Sequence, residues 1–440
     1  MLTHPTVAIP YLTHTLANGL DVVVHEDRHI PMVAVSVWYH VGSRHEQPGR
    51  TGFAHLFEHL MFKGSAHHPD GYFEALQEAG GLVNGSTNTD RTNYWEVVPS
   101  QSLELALWME SDRMGHLLPA LSEAKFTTER EVVLNERRQN YENRPYGLSS
   151  VALAEALFPE GHPYRWVTIG APADLVASSV DDARAFFRAF YHPGNASIAI
   201  AGDVDAADTI RLVERYFGDL PPGPAVVHPR RTTSLERDAR LVLEDRVELP
   251  RLSLSWHTPE MFHDDDAAMD IAADVLANGK TSRLYRSLVY DARLAADVSA
   301  MQASREMSSV FHVVATAVSG TTLAELDEAI TRALEELAAT GPTTAELERA
   351  TARAEAQFVY RVQTIGGFGG KSDQLNAYNV FTGSPGYMQA DRDRYARATA
   401  QSVAGAAKRW LRDAPRVALS VVPRGQRVLA LPGSEQVFPA

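Results

Sequence analysis

Leu220-Pro221-Pro222-Gly223-Pro224 interrupts the periodic apolar pattern near the midpoint of the chain, and the interruption continues through His228-Pro229-Arg230-Arg231 to about Arg240. Proline fixes φ and lacks a backbone donor, so a cluster of prolines around one glycine ends any helix or strand and marks a linker. Working outward, the two sides open alike. Leu20 to Val24 is followed by Met32 to Trp38, and Leu241 to Leu243 is followed by Leu252 to Trp256. Each opening reads as a pair of strands, paired with each other, that leads into a helix. Each side also closes on an apolar strand after a helix, Ala196 to Ala201 and Arg416 to Val422. A recurrence at a period of roughly 220 residues indicates duplication of one unit rather than a short solenoid repeat. The expected organisation is an N-terminal domain over 1–220, a linker over 221–240 and a homologous C-terminal domain over 241–440.

Helical periodicity fills the space between these markers. In the first half it runs over Gly52 to Phe62, Gly71 to Glu78, Ser102 to Met114, Thr128 to Glu142, Asp181 to Phe190 and Asp205 to Phe217. In the second it runs over Asp264 to Ala277, Ser282 to Asp291, Leu323 to Ala339 and Thr344 to Val362. Thr128 with Glu131 has the spacing of a capping box. Strands and helices mix without regular βαβ alternation, which predicts an α+β fold of two homologous domains, each an antiparallel sheet packed with helices.

Composition removes several functions. At 440 residues the chain exceeds one ordinary core, and 41 lysines and arginines against 55 aspartates and glutamates leave a formal charge of -14 with no basic run beyond residue pairs. A surface that tracks phosphates needs clustered positive charge, so nucleic acid is not the expected partner. There is no cysteine. Disulfides, thiolate ligands and cysteine nucleophiles are therefore excluded together, and any metal must sit on histidine and carboxylate. No stretch approaches eighteen uncharged apolar residues, so no membrane-spanning segment is expected. The first twenty residues carry no leader pattern, which points to the cytoplasm, with the periplasm as the rival if a signal peptide was removed.

The strongest local signal is His55-Leu56-Phe57-Glu58-His59. Histidines four apart on a helix project from nearly one face and can reach one ion about 2.0 Å from each nitrogen. Glu58 sits beside that face, placed to take a proton from water rather than to ligate. The competing reading is an ordinary helix whose histidines pack or meet solvent. A catalytic site wants a third ligand and an open position. Glu129 and Glu136, about two helical turns apart, share a face on the predicted helix that also holds Glu131 and Glu142. Either one binds metal while the other orients a histidine or water, or the whole face is simply solvated.

His55-x-x-Glu58-His59 followed after 76 intervening residues by Glu136 resembles the inverted zinc motif of the pitrilysin and mitochondrial-processing-peptidase family. The flanks Val41-Gly42-Ser43-Arg44, Gly52-Phe53-Ala54-His55 and Leu60-Met61-Phe62-Lys63-Gly64 are similar to it as well, as are Tyr191-His192-Pro193-Gly194-Asn195 and the duplicated architecture. The length suits its short, two-domain members. The resemblance implies a zinc metalloendopeptidase with one Zn2+ per chain, ligated by His55, His59 and Glu136. It makes Glu58 the general base, and gives Glu129 the part of an accessory carboxylate that steadies a ligand without touching the metal.

Asn84-Gly85-Ser86-Thr87 leads through Asn93-Tyr94-Trp95 into Glu96-Val97-Val98-Pro99. By composition this is a structural hairpin, or an edge strand able to pair with an extended peptide. The resemblance favours the second reading, with Asn84 and Gly85 contacting substrate. Gly85 stands where the family more often has alanine. In self-sufficient relatives the second half supplies an arginine and a tyrosine seven residues apart. Here Val289 and Ala296 occupy those places and cannot donate a side-chain hydrogen bond, with Arg286, Tyr290 and Arg293 nearby. The resemblance thus implies the zinc-bearing subunit of a heterodimer, acting on extended peptides or unfolded segments, whose homologous partner supplies the missing pair. The alternative is a noncatalytic assembly subunit.

Two further features read as ordinary structure. Gly366-Gly367-Phe368-Gly369-Gly370-Lys371-Ser372 lacks phosphate-loop spacing and reads as a turn or hinge. His67-His68 and the cluster from His257 to Asp266 suit surface metals or helix-start electrostatics, and neither is assigned to the catalytic zinc.

Overall fold

The computed structural model describes residues 8–439. These fall into two compact units. The first takes the chain up to Asn135, Val167–Pro229 and Gln357–Ala390; the second takes Glu136–Trp166, Arg230–Ala356 and the chain from Asp391 onward.

Each unit is built on a six-stranded sheet. The first contains β1 (Leu12–Thr15), β2 (Asp21–Glu26), β3 (Met32–Tyr39), β4 (Leu82–Thr87), β5 (Thr92–Pro99) and β6 (Ala196–Gly202), in the order β1-β2-β6-β3-β5-β4. The second contains β7 (Ala239–Asp245), β8 (Arg251–Thr258), β9 (Ala295–Ala303), β10 (Ser309–Ala317), β11 (Val417–Pro423) and β12 (Glu435–Gln436), in the order β12-β7-β11-β8-β10-β9. Setting β2-β6-β3-β5-β4 beside β7-β11-β8-β10-β9 shows the same path twice, which is the duplication read from the sequence. Pairing is antiparallel except at β2/β6, β7/β11 and β7/β12.

The expected direct pairing of the opening strands is not what forms. β6 lies between β2 and β3, and β11 lies between β7 and β8. Every residue of both closing strands is buried. Strands of that kind need cover on both faces and ladder partners on both edges, which only a central position supplies.

Along the chain the helices are α1 (Phe53–Leu60), α2 (Tyr72–Glu78), α3 (Leu103–Ala120), α4 (Glu123–Arg137), α5 (Ser149–Leu157), α6 (Pro172–Ala177), α7 (Val180–Phe190), α8 (Ala206–Phe217), α9 (Asp266–Ala277), α10 (Leu323–Thr340), α11 (Thr344–Arg361), α12 (Lys371–Thr382), α13 (Met388–Ala396) and α14 (Ala400–Ala407). α4 starts earlier than its sequence suggests. Ser122 Oγ accepts from Lys125 N at 3.2 Å, nearly two turns ahead of the expected Thr128 cap, leaving Thr128 inside the helix. None of the helices among the described residues is long and apolar enough to cross a membrane.

Two helical segments pack away from the sheet of their own half of the chain. α12 belongs to the first unit, where Trp38 Nε1 and Asn93 Nδ2 donate to Asp373 Oδ1 at 2.8 and 2.9 Å and Asn376 Nδ2 donates to the Ser36 carbonyl at 2.7 Å. α5 belongs to the second, where Leu153, Leu157 and Phe158 join Leu241, Leu243, Val417, Leu419 and Val421 in one apolar cluster. His257 Nε2 seals that contact by donating to the Leu157 carbonyl at 2.7 Å.

Candidate metal centre

α1 carries His55, Glu58 and His59, and its start is held by a carboxylate. Glu46, buried, accepts from Gly52 N at 2.9 Å and from Ala54 N at 2.8 Å, meeting two amides that a helix start leaves unpaired. Gly52 has φ 94°, a left-handed turn into the helix, and a Cβ there would lie 2.8 Å from the Ile169 carbonyl oxygen. The apolar face of α1, with Phe53, Leu56, Phe57 and Leu60, is buried. The half-buried imidazoles therefore emerge on the other side, with ring centroids 4.9 Å apart and planes at 79°.

α4 brings the carboxylates. His55, His59 and Glu136 each offer a donor atom, and the three donors lie within 4.8 Å of one another. Two imidazole nitrogens and a carboxylate oxygen in that compass are a donor set that suits Zn2+, which takes such ligands at about 2.0–2.2 Å and leaves a fourth position open. Glu58, between the histidines, is half-buried. Its charge is felt by the Arg91 guanidinium and by the buried Tyr94 and Tyr191. Burial, reinforced by Glu58, holds both phenols above their ordinary pKa, so they stay protonated beside it.

Glu129 lies one side of the donor set. Its Oε1 is 3.2 Å from Lys63 Nζ, and its Oε2 is 3.8 Å from His59 Nδ1, a charge contact longer than a hydrogen bond. Burial pushes the Glu129 carboxyl upward, but His59 and Lys63 outweigh it and leave the pKa below the ordinary value. It is an ionised group beside His59 and Lys63. Lys63 lies in the Leu60-Met61-Phe62-Lys63-Gly64 flank, and nothing in its spacing distinguishes it from a solvated lysine. Lys125, which no sequence motif contains, donates from Nζ to the Lys63 and Pro69 carbonyls at 2.8 and 2.7 Å and ties the segment after α1 to α4.

Asn84 and Gly85 lie on β4, the outer strand of the first sheet, opposite Trp95 and Tyr94 of β5. Asn84 is exposed and its Oδ1 accepts from Gly85 N at 2.8 Å. A Cβ on Gly85 would stand 3.0 Å from Tyr94 Cδ1 and 3.1 Å from the Phe62 ring, so the glycine lets the strand lie close under these rings. A cavity of about 620 Å³ lies next to this region, lined by Phe62, Lys63, Tyr72, Phe73, Thr128 and Glu129 among others.

In the second unit, Val289 packs against the apolar core and Ala296 is exposed at the start of β9. Arg286 pairs with Asp291 at 3.6 Å, Tyr290 is 75% exposed and Arg293 holds φ 53°. The glycine-rich segment before α12 is a docked turn. Gly369 N donates to Asp373 Oδ2 at 2.7 Å, Phe368 meets Trp95 edge-on at 5.5 Å, and the Lys371 ammonium pairs with Asp27. Asp266 is likewise consumed, accepting from Ser304, Gln302 and Arg394.

Residues 21–160 match the family described as Insulinase (Peptidase family M16), and residues 178–353 match the one described as Peptidase M16 inactive domain. The zinc protease PqqE of Helicobacter pylori is 32% identical over 332 residues, 73% of each chain. The mitochondrial-processing peptidase subunit beta of Lentinula edodes is 24% identical over 322 residues, 70% of this chain and 66% of that one. Among solved structures, a protease from Helicobacter pylori superimposes with a TM-score of 0.86 at 27% identity, covering 95% of this chain and 100% of the other.

Proposed function

This chain belongs to peptidase family M16, and from that premise we propose that it is the zinc-bearing subunit of a metalloendopeptidase. His55, His59 and Glu136 hold one Zn2+ and Glu58 is the general base. The observation that carries this reading is the convergence of those three donors within 4.8 Å around a helix face that also presents Glu58.

Zinc in this position supplies Lewis acidity, lowering the pKa of water and polarising a carbonyl. The residues of the chain do the rest. Glu58 takes the proton of the attacking water as the carbon–oxygen bond forms, and returns it to the amine nitrogen as the carbon–nitrogen bond breaks. Glu129 steadies the His59 ring. Asn84 and Gly85, on an outer strand whose free edge pairs with no other strand among the described residues, receive an extended peptide by strand addition, which requires Asn84 Oδ1 to release Gly85 N. Substrates are therefore extended peptides or unfolded protein segments.

Glu58→Gln tests the base. It should retain zinc and lose peptide hydrolysis; hydrolysis at the parent rate rejects the role.

Val289 and Ala296 support a split site completed by a homologous partner bearing the arginine and tyrosine. Cleavage of an unstructured peptide pool only when that partner is added supports the heterodimer, whereas efficient cleavage by the chain alone removes it. The same two residues favour the second reading, a noncatalytic assembly subunit, which predicts zinc binding without turnover in either condition. The division into 1–220, 221–240 and 241–440 and the cytoplasmic location belong to the same proposal. Recovery in a periplasmic fraction would reverse the latter.

A further inference from the structure

We infer that His67, Asp112 and His116 form a second divalent-cation site, of the zinc class, separate from His55, His59 and Glu136. One donor atom from each of the three lies within 4.8 Å of the others. Asp112 and His116 are four apart on α3 and share a face, and His67 reaches them from the segment that follows α1.

Asp112 has the features of a ligand in waiting. Its side chain is 4% exposed, and among the described residues its one ionisable partner is the histidine His67, whose Nδ1 is 2.5 Å from Asp112 Oδ1. Ser65 Oγ donates to the other carboxylate oxygen. Among the described residues the neighbouring Arg113 makes no ion pair with Asp112; its Nε and Nη2 bond Glu110 and Glu96 instead. A buried carboxylate with so little positive charge nearby is a site where a cation is retained.

The histidines complete the set. The His67 and His116 rings stand edge to face with centroids 4.9 Å apart, and among the described residues no protein group hydrogen-bonds the His116 ring. His116 also breaks the regular helix, with φ -130° and ψ 20°, and its carbonyl accepts from Ala66 N at 2.9 Å. Ser65, Ala66 and His67 are thus each tied to α3, so the His67 imidazole is held near its co-ligands before any ion arrives. Both histidines are exposed. The donors of a tetrahedral zinc with bonds of about 2.0–2.1 Å lie about 3.3–3.4 Å apart, a spacing that rotation of the His67 ring away from Asp112 opens. Two imidazoles and one carboxylate favour zinc, copper or nickel over calcium or magnesium. Bound there, the ion crosslinks the segment following α1 to α3.

The test is zinc stoichiometry by equilibrium dialysis and metal analysis on the full chain and its variants. The parent should hold two zinc ions, His67→Ala one, and His55→Ala/His59→Ala one. Adding His67→Ala to that last pair should remove the remaining ion. The His67 side chain is 60% exposed, and Ser65 Oγ still donates to Asp112 and Ala66 N to the His116 carbonyl without it, so the variant keeps its fold. A parent that binds one ion, lost in His55→Ala/His59→Ala and kept in His67→Ala, overturns the second site and leaves the proposed catalytic site standing. One ion lost only in His67→Ala does the reverse. Two ions retained in His67→Ala also overturn the inference.

Discussion

Trp38 Nε1 donates to Asp373 Oδ1 at 2.8 Å, joining the first sheet to a helix 335 residues further along the chain. The same carboxylate accepts from Asn93 Nδ2 at 2.9 Å and, through its other oxygen, from Gly369 N at 2.7 Å. One buried side chain therefore docks α12 and the glycine-rich turn before it. Asp373→Ala leaves three donors unsatisfied, and at about 1–3 kcal/mol for each stranded buried group partly relieved by water, the expected loss is on the order of 3 kcal/mol. Urea unfolding measures it; a loss below about 1 kcal/mol would mean that the packing of α12, not Asp373, holds the segment.

Glu129→Gln should weaken zinc binding without abolishing it. The variant keeps the shape but loses the charge that orients His59 and pairs with Lys63. Partners of this kind contribute about 10–100-fold in metal affinity. Competition with a chromophoric chelator gives the ratio, and an unchanged affinity removes Glu129 from the site.

Gly85→Ala tests the close approach at β4. Gly85 has no left-handed φ, so space alone decides. The new methyl meets Tyr94 and Phe62 at 3.0–3.1 Å. Overpacking costs about 1–3 kcal/mol, and reduced freedom of the unfolded chain returns about 0.4–1 kcal/mol. A net loss of about 1 kcal/mol is expected by chemical unfolding; a gain in stability would show that the Phe62 ring yields freely.

His312 predicts an acid-sensitive second unit. Burial, then the charge of Arg305, pushes its pKa down to about 4, while Ser255 Oγ lies 2.8 Å from Nδ1. In the unfolded chain the group titrates near 6.5. Above that pH both states are neutral and the group contributes no slope. As pH falls from 6.5 to 4 the unfolded state gains a proton that the folded state refuses, so stability falls by about 1.4 kcal/mol per pH unit at most. His45, pushed down to about 2 by burial and Arg44, acts with the same sign. His312→Gln should flatten the pH dependence of unfolding between 6.5 and 4 relative to the parent. An unchanged slope would mean that His312 takes up its proton without resistance.

Short-range pattern was enough for much of this chain. Helical spacing placed His55, Glu58 and His59 together, proline and glycine marked the seam at Leu220–Pro224, and alternation located the strands that open and close each half. Periodicity says nothing of partners, however. It suggested that β2 pairs with β3, whereas the fully buried β6 enters between them because only a central strand has both faces covered and both edges bonded. It read Thr128 as a helix start because the charged stretch before it has no apolar rhythm, whereas the cap contact forms at Ser122.

By itself, then, the sequence determined the α+β character, the duplication and the helix face that carries the two histidines, since these depend on residues within a few turns of one another. Only the tertiary structure decided that Glu136 comes within reach of His55 and His59, that Lys63 pairs with Glu129, that α5 and α12 each pack on the sheet formed by the other half of the chain, and that His67 meets Asp112 and His116. Those contacts join residues tens to hundreds of positions apart. Their formation depends on which apolar faces are buried together and which buried polar groups find partners, and local spacing carries neither quantity.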